Sequence, residues 1–140
     1  MRKKLYITRQ LLRELGIKKV EFDECGPEHL VRSTKVGEKE IHRHPITTKH
    51  KYGKDLTYMY FTFNINGKLK HIPVADIAYL MYHPECKGIP RGYEVDHIDN
   101  NPLNNLPDNL QLLTHADNIK RRPVACNHYA YIYGTLEKEI

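Results

Sequence analysis

The sequence feature that most restricts the fold is the order of local preferences along residues 92–122. Residues 93–98 have the composition and length of a short strand. Residues 99–107 are rich in Asn, Asp and Pro, which favour tight turns, and residues 110–113 predict a second strand. The segment is therefore expected to form a strand, a loop, a returning strand and a helix that runs to about its last residue.

The start of that helix is predicted at Thr114, because a threonine hydroxyl caps a helix well and Asp117 stands three residues later. Asn118 then falls in the first turn of the helix. The end of the hairpin carries Asp96 and His97 side by side. We expect Asn118 to face back toward this pair.

A second hairpin and a helix are predicted ahead of this segment. Residues 57–65 alternate in the strand period, Asn66-Gly67 is the preferred pair for a two-residue turn, and residues 68–72 would return as the partner strand. Residues 73–83 begin with a proline and carry apolar side chains on one helical face. We expect the aromatic side chains of the hairpin to pack rather than to stack on bases.

The N-terminal part of the chain has weaker signals. Residues 5–17 approximate a helical period, with Thr8 as a cap and Gly16 as a stop. From residue 25 to residue 53 the periodicity fades, and histidines alternate with Lys and Arg. Residues 25–53 are expected to be extended or irregular chain on the surface, either a phosphate-binding arm or a solvated connector.

Charge is distributed unevenly along the 140 residues, whose formal net charge is +5. Residues 1–54 hold 14 basic and 7 acidic side chains, residues 55–118 hold 4 and 8, and residues 119–140 hold 4 and 2. Carboxylates repel phosphate, so an acidic centre between basic flanks is unusual for a protein that only coats nucleic acid. A divalent metal held by some of these carboxylates would explain the pattern.

The spacing of Asp96-His97, Asn109 and Asn118 resembles the HNH endonucleases, also called His-Me finger or ββα-metal nucleases. The closest branch is that of phage and intron homing endonucleases. The resemblance covers residues 58–122, about half of the chain. It implies an α+β fold, with a ββα-metal core preceded by a β-hairpin and a helix and with a basic N-terminal extension.

The resemblance also implies roles for the matching residues. Asp96 and Asn118 would be the metal ligands, His97 the general base, and Asn109 the residue that braces the loop and so orients His97. The family is named after a His-Asn-His pattern, and this chain has Asn118 at the last position. An oxygen ligand there favours Mg²⁺ or Mn²⁺ over Zn²⁺.

The residue types suit the hydrolysis of a phosphodiester. The reaction needs a base that deprotonates water, together with charge compensation on the transition state and on the departing 3′ oxygen. The imidazole of His97 has an ordinary pKa near neutrality, which suits the base. The carboxylate of Asp96 and the amide oxygen of Asn118 are hard ligands that suit Mg²⁺, and two protein ligands leave the ion open to substrate.

Basic residues follow the candidate site. Lys120, Arg121 and Arg122 are expected to contact DNA phosphates, although compensation of the helix dipole is an alternative. His115 would point to solvent, contact phosphate or act as a further ligand.

Three polar residues of the loop are expected to have structural rather than catalytic roles. Asn104 and Asn105 are expected to be turn formers, and Asp99 is expected to form hydrogen bonds within the loop rather than to bind metal.

These observations divide the chain into a basic, DNA-contacting N-terminal arm (residues 1–54), an HNH nuclease domain (residues 55–122, with its core at 92–122) and a C-terminal tail (residues 123–140). The leading hypothesis is a metal-dependent endonuclease that cuts double-stranded DNA and leaves a 5′ phosphate and a 3′ hydroxyl. The alternatives are a non-cleaving DNA-binding module on a degraded HNH unit and a zinc-stabilised interaction domain. The oligomeric state stays open.

Other classes are disfavoured. The apolar runs are too short for a membrane-spanning helix, and the N-terminus lacks the apolar stretch of a secretory signal, so a cytoplasmic protein of a bacterial or phage-infected cell is expected. The three cysteines, Cys25, Cys86 and Cys126, are far apart, which argues against a disulfide framework. A structural zinc site would need histidines from scattered segments.

Overall fold

The computed structural model describes residues 5–49, 51 and 53–121, which form three helices and eight strands. In chain order the elements are α1 (Arg9–Glu14), β1 (Ile17–Asp23), β2 (Gly26–Thr34), β3 (Gly37–His42), β4 (His44–Thr48), β5 (Leu56–Ile65), β6 (Lys68–Pro73), α2 (Val74–Tyr82), β7 (Tyr93–His97), β8 (Leu110–Thr114) and α3 (His115–Lys120). A short 3-10 helix, Pro107–Asn109, precedes β8.

The strands form three antiparallel sheets, with the orders β1-β2-β3, β4-β5-β6 and β7-β8. Helices stand apart from these sheets in the chain rather than alternating with parallel strands, which makes the fold α+β. The predicted fold class is confirmed at this level.

The N-terminal region is more ordered than the extended or irregular arm that was expected. Residues 17–48 contain four strands, and β4 pairs with β5, so one sheet crosses the expected boundary at residue 54. The strands escaped prediction because β3 carries charged residues on both faces and only Ile41 of its side chains packs against the core. Pairing with neighbouring strands rather than an apolar stripe defines them.

One hydrophobic core joins the N-terminal region to the predicted hairpin and helix. Its buried members are Ile7, Leu12, Leu15, Leu30, Phe61, Phe63, Ile72, Val74, Ile77 and Leu80. The first four belong to residues 1–54, so this region contributes to the same core as β5, β6 and α2. A deletion of residues 1–54 would expose that core.

The hairpin and helix predicted at residues 57–83 are confirmed. Asn66 and Gly67 have φ values of 54° and 81°, as a tight two-residue turn requires. Phe61 and Phe63 point into the core, as the period of two predicts. The helix α2 begins directly after Pro73.

The predicted first helix is shorter than its apolar pattern. The Thr8 hydroxyl accepts a hydrogen bond from the Leu11 amide at 3.0 Å, so the predicted cap is confirmed. At Gly16, where φ is 74°, the chain turns into β1, and a Cβ there would lie 2.6 Å from the Ser33 carbonyl oxygen. The Arg9 guanidinium donates to three carbonyls at the end of α2 and just beyond, those of Leu80, His83 and Cys86.

The strand, loop, strand and helix predicted at residues 92–122 follow one another in that order. β7 pairs with β8 in a register that places Asp96 opposite Gln111. The Asp117 amide donates to the Thr114 hydroxyl at 3.2 Å, which confirms the predicted cap. α3 ends at Lys120 with Arg121 as its C-cap, slightly before the predicted end.

Some predictions lie outside the described residues. These concern Arg122, Cys126 and the C-terminal tail at residues 123–140. Cys25 and Cys86 are free thiols. Among the described residues there is no helix with the length and apolar character needed to span a membrane.

Candidate active site

The two faces of β7 carry different parts of the candidate site. Successive side chains of a strand point to opposite faces. Glu94 and Asp96 point toward α3, where each has a partner side chain. Val95 packs against the helix α2 instead. His97 is two residues after Val95, so its side chain leaves the strand on the same face as Val95. The adjacent residues Asp96 and His97 therefore start from opposite faces of the hairpin.

His97 is buried, with 8% of its surface exposed. Its Nε2 lies 2.8 Å from Oδ1 of Asn105. Because a carbonyl oxygen accepts, Nε2 is the protonated nitrogen, and Nδ1 carries the lone pair. Burial lowers the pKa of His97, and the bond to Asn105 and the nearby Asp96 and Asp99 offset part of this effect. The geometry therefore favours a neutral imidazole with a free basic nitrogen.

Asn105 is the residue that sequence reasoning missed, since it was expected to be a turn former. Its side chain is almost fully buried. Its backbone N–H donates to the Cys25 carbonyl at 2.7 Å. A Cβ on Gly26 would lie 2.6 Å from the Asn105 backbone. The turn between β1 and β2 therefore holds Asn105 in place. No local signal in the loop distinguishes Asn105 from Asn104, because the partners of Asn105 are distant in sequence.

Asn109 has hydrogen bonds on both sides of the loop. Its Nδ2 donates to Asp99 Oδ1 and to the Asn104 carbonyl, both at 2.9 Å, and its Oδ1 accepts from the Asp99 amide at 3.0 Å. Its own carbonyl accepts from the amide of Ile98, the residue after His97, at 2.8 Å. Asn109 thus ties the start of the loop to its end, and its effect on His97 passes through the backbone.

Asp99 and Asn104 act within the loop, as predicted. Asp99 accepts from the Asn101 amide at 2.8 Å and from Asn104 Nδ2 at 2.9 Å. The bond from Asn104 is the main reason that the pKa of Asp99 is lowered. Asn104 Oδ1 accepts in turn from the Leu106 amide at 3.3 Å.

Asp96 is a buried carboxylate with two polar partners. Gln111 Nε2 donates to its Oδ2 at 2.9 Å, and Arg121 forms an ion pair with the same oxygen. Arg121 also donates through Nη2 to the Ile98 carbonyl at 2.8 Å. Arg121 therefore turns toward the protein interior, which differs from the expected contact with DNA phosphate. Lys120 is exposed and available to solvent.

Asn118 meets Glu94 rather than Asp96. Its Nδ2 donates to Glu94 Oε1 at 2.8 Å, a bond that does not use its Oδ1. His115 Nδ1 lies 3.1 Å from the same Glu94 oxygen, although the His115 side chain is largely exposed. Asn118 and Arg121, one helical turn apart, thus lie over Glu94 and Asp96 respectively. Sequence reasoning did not single out Glu94.

The donor set on this face fits a hard divalent cation. Asp96, Glu94 and Asn118 offer carboxylate and amide oxygens from two adjacent elements, the ligand types that Mg²⁺ and Mn²⁺ prefer. Arg121 balances the charge of Asp96 in the described conformation. A cation at Asp96 would have to share the carboxylate with Arg121 or displace it.

A cleft of about 340 Å³ lies at one part of the candidate site. His97, Asn118 and Glu94 line it. Its other walls include side chains of four tyrosines: Tyr6, Tyr58, Tyr60 and Tyr93. Burial and the neighbouring carboxylate of Asp76 raise the pKa of Tyr60. The aromatic face of β5 opposite the core therefore forms a wall of the cleft.

A known family matches the segment that holds the candidate residues. The family model HNH_3, described as HNH endonuclease, matches residues 77–120, from within α2 to the end of α3. The matched segment contains Asp96, His97, Asn109 and Asn118. This segment is therefore similar to HNH endonuclease domains. The HNH match begins after the preceding hairpin, so the resemblance over residues 58–76 stays a prediction.

One curated relative is a phage protein. The chain is 57% identical over 30 residues to Protein 3.8 of Escherichia phage T7. The aligned stretch is 21% of this chain and 25% of that protein, so the two share a short segment rather than a whole length. No solved structure matches the chain.

Proposed function

We propose that the chain is a metal-dependent DNA endonuclease of phage or intron type that works by a one-metal HNH mechanism. In this proposal β7, β8 and α3 form the ββα-metal core, and the products carry a 5′ phosphate and a 3′ hydroxyl. The observation that carries the proposal is the buried His97, which lines the same cleft as Asn118 inside the HNH segment.

His97 acts as the general base. Its Nε2 proton is held by Asn105, so Nδ1 can accept a proton from the attacking water. The lowered pKa keeps the imidazole neutral at physiological pH, as a base requires. Asn109 keeps the loop closed behind it.

Asp96 and Asn118 would hold the cation, and Glu94, which accepts a hydrogen bond from Asn118, would add a third oxygen donor. A bound Mg²⁺ or Mn²⁺ would offset the negative charge that develops on the phosphate and on the departing 3′ oxygen. The ion pair with Arg121 would keep the Asp96 carboxylate in position when no cation is bound.

Double-stranded DNA is the proposed partner. The tyrosine-lined cleft suits the backbone of a DNA strand, because tyrosine side chains form hydrogen bonds to phosphate and sugar oxygens. Lys120 at the end of α3 is proposed to contact a phosphate. Arg122 is proposed to do the same, whereas Arg121 serves Asp96.

The test is cleavage of supercoiled plasmid by the purified chain in Mg²⁺ or Mn²⁺. His97→Ala should lower the cleavage rate at least about 100-fold while duplex binding stays near the wild-type level. Asp96→Ala should abolish stimulation by the metal. His115→Ala is the matched control, because His115 lies beside Glu94 but is largely exposed, and we expect it to keep most of the activity.

Two results would contradict the proposal. Equal cleavage by the wild type and by His97→Ala would remove His97 from the chemistry. Duplex binding without cleavage in either metal would favour a non-cleaving DNA-binding module instead.

A further inference from the structure

A second group of metal-ligand side chains lies in the sheet β1-β2-β3, away from the HNH segment. Glu28 and His29 come from β2, and His42 comes from β3. Each offers one ligand atom, and the three atoms all lie within 4.8 Å of one another. The two histidines come from different strands, so the fold rather than a sequence motif brings them together.

The strand register explains why the three side chains meet. His29 and His42 are direct partners in the β2-β3 ladder, and their rings lie 5.0 Å apart. Between β1 and β2, Glu21 pairs with His29 and Phe22 pairs with Pro27, so Glu28 is left as an extra residue in a bulge. A bulge re-aims a side chain. Glu28 can therefore approach the same place as its neighbour His29.

The cluster has unsatisfied polar capacity. His29 Nδ1 is buried and has no hydrogen-bond partner in the described part of the chain. The other ring nitrogen of His29 is 3.7 Å from a Glu40 oxygen, which is too long for a hydrogen bond. The other oxygen of Glu40 lies 3.4 Å from His42 Nε2. A buried ring nitrogen without a hydrogen-bond partner destabilises the fold. Binding of a metal ion to the ring would offset this cost.

We propose that Glu28, His29 and His42 bind a first-row transition metal of the zinc class, with Glu40 as a fourth ligand or as a carboxylate that holds an imidazole. Two imidazoles and a carboxylate suit Zn²⁺ and not Mg²⁺. Ligand atoms around tetrahedral zinc are about 3.3 Å apart, as zinc–ligand distances of about 2.0–2.1 Å require. Atoms already within 4.8 Å reach this spacing by side-chain rotation.

The metal would act as a structural clamp. It links two strands of the first sheet at positions that face each other. The same sheet carries the Cys25 turn that holds Asn105. This site is independent of the nuclease proposal, because none of its ligands belongs to the candidate active site.

The test measures zinc binding by the full chain in competition with a chromophoric chelator, with thermal unfolding in Zn²⁺ and in EDTA as a second readout. The wild type should bind an equivalent of Zn²⁺ that His29→Gln and His42→Ala each weaken at least tenfold. Zn²⁺ should raise the unfolding temperature of the wild type but not of His42→Ala. The His42 side chain is 60% exposed, so this variant should fold, which its unfolding in EDTA will verify.

Two control variants separate this site from others. Asp96→Ala removes the proposed active-site ligand, and His71→Ala removes an exposed histidine of another sheet. Both should keep the high-affinity zinc equivalent. Unchanged zinc affinity in His42→Ala, or loss of the same equivalent in Asp96→Ala or His71→Ala, would overturn the proposal.

Discussion

At the scale of single residues, the hydrogen bond between His97 and Asn105 decides whether the imidazole can work as a base. Both residues are buried, and the bond fixes which ring nitrogen carries the proton. Asn105 does not touch the reacting atoms in the proposed mechanism, so it is a positioning residue. Its role predicts a change in the pH profile that a merely structural residue would not produce.

We expect Asn105→Ala to lower kcat about 10- to 100-fold with little change in KM, as happens when a partner that orients a histidine is lost. Cleavage needs neutral His97, so activity falls as pH drops through the pKa of this residue. Burial lowers that pKa, so the acid limb of the wild type should have its midpoint below about 6.5. The bond from Asn105 raises the pKa, and its loss should move the midpoint still lower.

The measurement is the rate of plasmid cleavage from pH 5 to pH 8 at saturating Mg²⁺. Asn104→Ala is the matched control, because Asn104 bonds within the loop and does not contact His97. It should leave the midpoint in place. An Asn105→Ala enzyme with the wild-type midpoint and kcat would show that the bond has no part in catalysis.

At the scale of elements, the turn between β1 and β2 supports the loop that carries Asn105. Gly26 has a φ of 119°, and a Cβ there would lie 2.6 Å from the Asn105 backbone. The ion pair between Asp23 and Arg43 fixes the same turn. The first sheet therefore acts on the candidate site through packing.

We expect Gly26→Ala to destabilise the protein by about 1–3 kcal/mol, from backbone strain together with the clash, and to reduce cleavage as well. Gly37→Ala is the matched control. Its φ of 120° is equally strained for alanine, but a Cβ there would meet no atom within 4 Å. Gly37→Ala should lower the stability of the protein and leave cleavage unchanged. Urea unfolding and plasmid cleavage measure the two effects, and a fully active Gly26→Ala enzyme would contradict the proposed support.

The elements that the sequence predicted are those with strong local signals. The alternating strand β5, its Asn66-Gly67 turn and the Thr114 cap are determined by neighbouring residues, and all three were predicted correctly. The strands β1 to β3 depend on pairing between charged segments, which leaves little periodicity to detect.

The same distinction applies to the candidate site. The spacing of Asp96, His97 and Asn118 is visible in the sequence, whereas the contacts of these residues are tertiary. Asn105 reaches His97 only because Cys25 and Gly26 hold the loop. Arg121 was expected to contact DNA phosphate because the sequence does not show that the buried Asp96 carboxylate lies next to it.

At the scale of the whole molecule, the basic excess of residues 1–54 has more than one use. Arg9 donates to carbonyls at the end of α2 and just beyond it, and Arg43 pairs with Asp23, so both stabilise the fold. Other basic residues are exposed. Lys49 follows Thr48, a residue of the cleft wall, and forms a surface ion pair with Asp55; Lys54 lies a few residues further along the chain.

We expect Lys49→Gln/Lys54→Gln to reduce the slope of log affinity for duplex DNA against log salt by about 2, since each lost phosphate contact removes about 0.9. Lys35→Gln/Lys39→Gln removes the same charge at the β2-β3 turn and is the matched control. Binding is measured by fluorescence anisotropy in EDTA. If the Lys35→Gln/Lys39→Gln control reduces the slope more than Lys49→Gln/Lys54→Gln does, the DNA contacts the β2-β3 turn instead.

The bond between the Asn105 amide and the Cys25 carbonyl joins two points roughly 80 residues apart in the chain. Cys25 is synthesised long before Asn105. The Cys25 carbonyl in the first sheet therefore has no Asn105 amide to bind until most of the chain has been made. The loop behind His97 gains its support only in the final stage of folding. A nascent or truncated chain would therefore form the strands of the first sheet before His97 is oriented to accept a proton from water.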